Sequence, residues 1–220
     1  GKLRLRNIPV SREAIAENFF CIQNPEGIKG KWNTIFKNDN PIHIEVGMGK
    51  GRFLMEMAGL HSEVNYIGIE MYSSVLLRAI QKAESLENTE GNFRFIRMDA
   101  RELPEVFSKG EVEKIYLNFS DPWPKERHAK RRLTSREFLR RYERLLPEGG
   151  TVEFKTDNRE LFDFSLEEIR ERGWSLESFT FDLHNDPILN IGNVMTEYEE
   201  KFSVMGNPIC KLTARPGSVK

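Results

Sequence analysis

The sequence is poor in cysteine: its 220 residues include only Cys21 and Cys210, which belong to no CxxC pair. This argues against a disulfide framework or a structural zinc site and favours the reducing cytoplasm. Long apolar runs are also missing, and none approaches the ~20 residues that span a bilayer. Because no apolar run follows the charges of residues 1–6, we expect no secretory signal. The sequence therefore predicts a soluble intracellular globular protein without a membrane partner.

Net charge is nearly absent as well, since 33 Lys and Arg face 34 Asp and Glu, a formal charge of -1. The charges are unevenly distributed. Residues 125–144, KERHAKRRLTSREFLRRYER, hold nine Lys or Arg and three Asp or Glu, a local charge of +6 that leaves -7 for the rest. Residues 1–12 add four cations and no acid. Such clusters are typical of proteins that bind polyanions, although a solvated helix face carries similar charges.

Hydropathy periodicity divides the chain into two parts. Residues 1–40 are predicted as a basic arm with short helical pieces, including a helix capped by Ser11 with Ile15, Phe19 and Ile22 on one face. Residues 41–220 alternate strand and helix patterns, which predicts an α/β domain with a mostly parallel sheet covered on both faces. The predicted strands are 42–46, 66–69, 93–98, 114–119, 151–155, 176–183 and 209–213, and the longer predicted helices are 52–60, 73–86, 135–146 and 160–171.

Acidic residues stand at or just after the carboxyl ends of four predicted strands, where ligands bind in such sheets. They are Glu45, Glu70, Asp99 and Asp121, and a glycine turn of Gly47, Gly49 and Gly51 follows the first. The G-x-G-x-G spacing and the preceding acid disfavour a dinucleotide pyrophosphate. They favour a nucleoside with a cationic amino-acid tail, because an acid attracts ammonium or sulfonium while the next acids accept hydrogen bonds from ribose and adenine. S-adenosylmethionine meets these demands.

The stretch 118–133, NFSDPWPKERHAKRRL, resembles the signature of bacterial tRNA (guanine-N7)-methyltransferases. Residues 156–158 and 196–202 agree, and the resemblance covers residues 30 to 216. It implies a class I methyltransferase fold, which is an α/β, doubly wound, Rossmann-like, mostly parallel seven-stranded sheet with the last strand antiparallel. It also implies S-adenosylmethionine as methyl donor and a guanosine in the variable loop of tRNA as acceptor. For the oligomeric state we expect a monomer or homodimer.

The resemblance also implies roles for individual residues. Asp121 is the candidate catalytic residue. The implied donor-binding carboxylates are Glu45, Glu70, Asp99 and Asp121, and the glycine turn of Gly47, Gly49 and Gly51 completes the predicted donor site. The implied substrate-binding residues are Lys125, Asp157, Thr196, Glu197, Tyr198 and Glu199. The implied RNA-binding residues are Arg127, His128, Lys130, Arg131 and Arg132. The sequence itself further predicts that Thr196 caps a helix and that Glu199 reaches back to it in a capping box.

The expected chemistry requires little of the protein. Guanine N7 presents a lone pair, so no proton has to leave before attack, and no catalytic triad or metal is expected. Asp121 and Asp157 can hold the guanine N1–H and amino group, while Trp123 either stacks on the base or packs in a rigid turn. The four histidines are interpreted as structural or surface residues, with His128 a candidate phosphate contact.

Three alternatives remain open at this point. A base amino-group methyltransferase uses a D-P-P-aromatic loop similar to Asp121-Pro122-Trp123, but here one proline precedes the aromatic residue and a basic run follows. A non-catalytic RNA-binding module would not need acids at every strand end. An NAD dehydrogenase would require a different glycine spacing.

Overall fold

The computed structural model describes residues 9–16, 18–86 and 91–218. Within them, seven strands form one sheet in the order β3-β2-β1-β4-β5-β7-β6. These strands are β1 (Ile42–Val46), β2 (Asn65–Glu70), β3 (Phe93–Arg97), β4 (Lys114–Asn118), β5 (Thr151–Thr156), β6 (Ser175–Thr180) and β7 (Cys210–Arg215). Strands β1 to β5 pair in parallel, whereas β7 lies antiparallel between β5 and β6. The fold class implied by the resemblance is confirmed.

Helices cover both faces of the sheet because the buried strands are apolar on both sides. The adjacent residues Tyr116 and Leu117 of β4 belong to separate hydrophobic clusters, one on each face. The helices are α1 (Pro9–Ala16), α2 (Trp32–Phe36), α3 (Arg52–Leu60), α4 (Ser73–Ser85), α5 (Leu103–Val106), α6 (Arg136–Glu143), α7 (Arg159–Glu171) and α8 (Glu197–Ser203). No helix of the described residues is long and apolar enough to cross a membrane.

The N-terminal prediction is wrong between Ser11 and Ile22. Helix α1 starts before Ser11 and ends at Ala16, and Phe19 is 62% exposed. The chain then runs extended along the sheet edge, where Phe95 N donates to Phe20 O and Ile22 N donates to Phe95 O, at 2.7 and 2.9 Å. The unpaired edge of β3 supplies hydrogen bonds that compete with continuation of the helix. The predicted basic arm at residues 1–8 lies outside the described residues.

Helix α6 runs from the carboxyl edge of the parallel strands back to the opposite edge. It starts after residues 125–132, which are called the basic segment below, and ends before β5 begins. Ser135 caps it by accepting from Phe138 N, so the helix starts one residue later than predicted. It ends at Glu143, before the predicted end at residue 146. Its course separates the basic run 125–144 into one part at each edge of the sheet.

Candidate functional site

The glycine turn after β1 is held by Glu70 at the end of β2. Gly47, Gly49 and Gly51 all have positive φ, at 78°, 58° and 82°, which is costly for other residues. Glu70 Oε1 accepts from Gly49 N at 3.1 Å and Oε2 accepts from Tyr72 N at 3.0 Å. A Cβ on Gly47 or Gly49 would meet nothing within 4 Å. The backbone of the turn is therefore fixed and accessible to a ligand.

Glu45 is a buried carboxylate directly before this turn, with 2% exposure. Its Oε2 accepts from Asn118 Nδ2 at 2.8 Å, while its Oε1 has no hydrogen-bond partner within the described residues. Burial raises the pKa of Glu45 to about 8, although the Asn118 hydrogen bond and the charge of Lys155 act in the opposite direction. A cation at Oε1 would favour the ionised form, so the site is suited to an ammonium group.

Asp99 follows β3 and caps the turn at residues 100–102. Its Oδ1 accepts from Arg101 N at 2.9 Å, and the Arg101 guanidinium approaches Oδ2 to 2.7 Å. The hydrogen bond from the Arg101 side chain, against the effect of burial, lowers the pKa of Asp99. Asp99 is therefore an ionised acceptor, and its side chain is 24% exposed.

The loop after β4 contains two residues in the left-handed region, Phe119 at φ 54° and Trp123 at φ 43°. Bulky residues rarely adopt this conformation, and such strain is concentrated at functional sites. The exposed Asp121 accepts from Trp123 N at 3.1 Å. Arg132 Nε donates to Pro122 O at 3.0 Å and Arg132 Nη2 to Trp123 O at 2.9 Å. The loop is thus tied down by Arg132.

The basic segment surrounds the indole of Trp123. The Arg131 guanidinium lies 5.0 Å from the ring centroid, and the His128 ring meets it edge-on at 5.6 Å. Lys125, Arg127 and Lys130 are exposed, and residues Glu126–Arg131 form a 3₁₀ helix. The cations of this segment therefore have different surroundings. Lys125, Arg127 and Lys130 face solvent, whereas Arg132 donates to backbone carbonyls.

Thr196 caps helix α8: its Oγ1 accepts from Glu199 N at 2.9 Å, so this half of the predicted capping box is confirmed. The prediction that Glu199 reaches back is wrong, because its fully buried carboxylate binds three distant side chains. Glu199 Oε1 accepts from Lys155 Nζ at 2.6 Å, and Oε2 lies 2.7 Å from His184 Nε2 and 2.8 Å from Asn193 Nδ2. These three partners compensate the buried charge of the Glu199 carboxylate, and a hydrogen bond to the Thr196 backbone N–H alone would not do so.

The two buried charges of this cluster affect each other's pKa. Burial lowers the pKa of Lys155, while the neighbouring Glu199 counteracts the shift. Burial alone would raise the pKa of Glu199, but the charge and hydrogen bond of Lys155 outweigh it, and the pKa is lowered. Lys155 Nζ also donates to Val194 O at 2.9 Å. The pair therefore connects β5, α8 and the preceding loop.

Tyr198 presents an aromatic face beside Asp157. Its ring centroid lies 4.8 Å from that of Phe119 and 4.3 Å from that of Phe202. Its hydroxyl donates to Asp157 Oδ2 at 2.9 Å, and burial together with this bond raises the pKa of Tyr198 to about 12. The tyrosine is 40% exposed, so this arrangement can offer both a stacking surface and an acceptor.

Helix α8 also lies against the glycine turn. Glu197 Oε2 is 4.0 Å from Lys50 Nζ, and Glu200 forms an ion pair with Arg52 at the start of α3. The segment 196–199 and the glycine turn are therefore neighbours, although they are far apart in sequence.

The structure brings together part of the predicted site. Glu45, the glycine turn and Glu70 lie on the adjacent strands β1 and β2, and Asp157 meets Tyr198. Asp99 pairs with Arg101 instead of another predicted residue, and the basic segment meets Trp123.

Sequence reasoning missed the roles of Asn118, Lys155 and His184. Asn118 lies inside the signature stretch. Lys155 follows Phe154 within a predicted strand, and a lysine at such a position signals a buried partner. His184 gave no such signal, since its partner becomes a neighbour only on folding.

Comparison with known proteins gives consistent results. Residues 39–212 match the family model described as "Putative methyltransferase". The chain is 58% identical to the tRNA (guanine-N(7)-)-methyltransferase of Lachnoclostridium phytofermentans, covering 96% of this chain and 98% of that protein. It is 51% identical to the protein of that name from Bacillus subtilis, covering 94% and 96%.

Solved structures show similarity in fold. The 16S rRNA methyltransferase KamB matches with a TM-score of 0.65 at 14% identity, covering 86% of this chain and 94% of that chain. An antibiotic-related methyltransferase matches with a TM-score of 0.62 at 18% identity, with the same two coverages, 86% and 94%.

Proposed function

The chain belongs to the tRNA (guanine-N(7)-)-methyltransferase family, and we propose that it transfers a methyl group from S-adenosylmethionine to N7 of a guanosine in the variable loop of tRNA. One observation carries the assignment of the donor site. The buried Glu45 Oε1 lacks a hydrogen-bond partner within the described residues, directly before an accessible glycine turn. A tRNA substrate is consistent with a cytoplasmic enzyme.

The residues at this edge fit S-adenosylmethionine. Glu45 would bind the ammonium of its amino-acid tail, because the approach of a cation stabilises the buried carboxylate. The turn of Gly47, Gly49 and Gly51 would allow close backbone approach. Glu70 would accept from the ribose hydroxyls and Asp99 from the adenine amino group. When bound, the donor supplies an electrophilic methyl group on a sulfonium, and its sulfur leaves as a neutral thioether.

Asp121 and Asp157 are proposed to hold the guanine. Asp157 is oriented by the Tyr198 hydroxyl and Asp121 by Trp123 N, and a carboxylate keeps further acceptor capacity beyond one such bond. They would accept from N1–H and the exocyclic amino group, which orients the N7 lone pair. Their charges also stabilise the cationic purine that results. Alignment and electrostatics thus supply the catalysis, without a general base.

The remaining positions are assigned to the RNA. Lys125 with Arg127, His128, Lys130 and Arg131 would contact phosphates near the target base. Arg132 supports this role by holding the Pro122 and Trp123 carbonyls.

The segment from Thr196 to Glu199 acts in two ways. Glu197 and Tyr198 are exposed and can touch the substrate. Thr196 and the buried Glu199 position the helix on which those two residues stand.

Methylation of tRNA that contains 7-deazaguanosine at the target position tests the acceptor atom. Unmodified tRNA should gain 7-methylguanosine, whose fixed charge makes the strand cleavable after reduction and amine treatment. The 7-deaza substrate should be inert, because carbon offers no lone pair. Efficient methylation of that substrate would identify a different acceptor, such as an amino group. In parallel, Asp121→Ala should reduce turnover by ~10²–10³, with Asp163→Ala on the exposed side of α7 as the control.

A further inference from the structure

We propose that the edge of the sheet opposite the methyl-transfer site contains a second RNA contact, a basic groove that binds phosphodiester groups of the tRNA body. This inference rests on the proposed function for the identity of its ligand. The groove has a volume of about 1210 Å³. Its cationic lining residues are Lys29, Lys109, Arg140, Arg144, Arg172 and Arg215, against the two acids Glu143 and Glu148.

The elements around the groove place it away from the donor turn. It is lined by the end of α6 and the loop before β5, by the start of β6 and by the end of the antiparallel β7. These points all lie at the amino edge of the parallel strands. Glu45, Glu70 and Asp121 belong to the carboxyl edge. The groove is therefore distinct from the methyl-transfer site.

Its charge is only partly compensated. Arg172 forms two hydrogen bonds with the Glu143 carboxylate, both at 2.8 Å, and Trp174 Nε1 donates to the same group at 2.8 Å. Glu143 is thus already engaged. Arg140 and Arg144 are exposed, and neither has an acidic partner within 4 Å among the residues that the structure describes. Guanidinium groups in this state suit the bidentate recognition of phosphate.

Helix α6 connects the groove to the basic segment at the other edge. Arg136, Arg140 and Arg144 are spaced by four residues, so they follow one side of the helix and its last turn. Eight residues correspond to a path of roughly 12 Å. Arg136 forms an ion pair with Glu168, so Arg140 and Arg144 supply the uncompensated positive charge of this track at its groove end. A polyanion that carries phosphates over a long distance fits this track better than a small anion does.

Salt dependence of tRNA binding tests the proposal. The variant is Arg140→Gln with Arg144→Gln. The matched control is Arg78→Gln with Lys82→Gln, which removes two charges at the same spacing from α4. Each lost phosphate contact should reduce the slope of log affinity against log salt by roughly 0.7–0.9. We expect the groove variant to lose about 1.4–1.8 of slope and the control to keep the parental slope. Turnover at saturating tRNA should remain unchanged in both proteins, whose folding is checked by thermal melting.

A second RNA, a short stem-loop with only the target guanosine and its arm, makes the test more specific. The groove variant should bind this RNA as the unsubstituted protein does, because the short RNA does not reach the opposite edge. A parental slope with full-length tRNA would overturn the proposal, as would an equal loss of slope in the control. The proposal would also be overturned, in favour of a membrane surface, if the groove variant lost binding to anionic lipid vesicles and kept the parental salt slope of tRNA binding. If the unsubstituted protein binds tRNA with the expected slopes but forms no 7-methylguanosine, the proposed function fails and the groove stands.

Discussion

Lys155 Nζ lies 2.6 Å from Glu199 Oε1, and the two side chains are 5% and 0% exposed. The pair connects the carboxyl end of the central strand β5 to helix α8, which carries Glu197 and Tyr198. A buried pair is not by itself strong evidence for stability, because desolvation opposes the attraction. Breaking it from one side is nevertheless costly, since a buried charge is left without compensation. This relationship gives Glu199 a positioning role.

We therefore predict that Lys155→Met destabilises the protein by about 3–5 kcal/mol. Urea unfolding measures the loss. The double variant Lys155→Met with Glu199→Met should recover part of it, because no charge is left uncompensated. In kinetics, Lys155→Arg should raise KM for tRNA more than it changes donor affinity. A stability loss in Lys155→Met no larger than that of the exposed Lys31→Met would contradict this account.

Glu45 predicts a pH dependence of stability. Its folded pKa, raised to about 8 by burial, lies above its ordinary 4.5. The contribution to folding is therefore complete below pH 4.5 and is lost as pH rises through about 8, by up to about 1.4 kcal/mol per pH unit. Glu45→Gln should remove this slope while weakening donor binding. Denaturant unfolding across this window measures it, with Glu26→Gln as an exposed control. Parallel curves for Glu45→Gln and the unsubstituted protein would refute the assignment.

The proposed donor site predicts that Glu70→Ala and Asp99→Ala each weaken S-adenosylmethionine binding by about 1–3 kcal/mol. Glu70→Ala should also lower thermal stability, because Gly49 N and Tyr72 N lose their acceptor. Calorimetry measures the affinities, and the neighbouring exposed Glu102→Ala serves as control. Unchanged affinity in both folded variants would remove these residues from the donor site.

The basic segment predicts two different phenotypes. Replacing Arg127, Lys130 and Arg131 with Ala should reduce the salt slope of tRNA binding by about 2–3, with donor affinity intact. Arg132→Ala should instead reduce turnover, because the Trp123 loop loses the guanidinium that holds its carbonyls. Filter binding and single-turnover rates separate the two effects. The same slope in the triple variant and the unsubstituted protein would return the segment to a solvated face.

Local patterns predicted much of the fold correctly. Strand β1 and helix α3 occur at the predicted bounds, because strand alternation and helix periodicity are properties of neighbouring residues. The cap at Thr196 depends on a side chain three positions from its partner. Parallel strands end at one edge of the sheet, so the order of strands along the chain predicts that Glu45, the glycine turn and Glu70 lie together. The sequence by itself therefore determined the sheet and the edge at which Glu45, the glycine turn and Glu70 meet.

Tertiary structure decided the features that depend on distant partners. The carboxylate of Glu199 binds Lys155, 44 residues away, instead of the backbone N–H at the start of α8, because a buried charge needs a buried counter-charge. Residues 20–22 left a helical pattern to pair with the edge strand β3. The basic run was continuous in sequence, yet the direction of α6 divided it between two edges of the sheet. Such choices follow from the desolvation and hydrogen bonding of groups that meet only after folding, so no local pattern contains them.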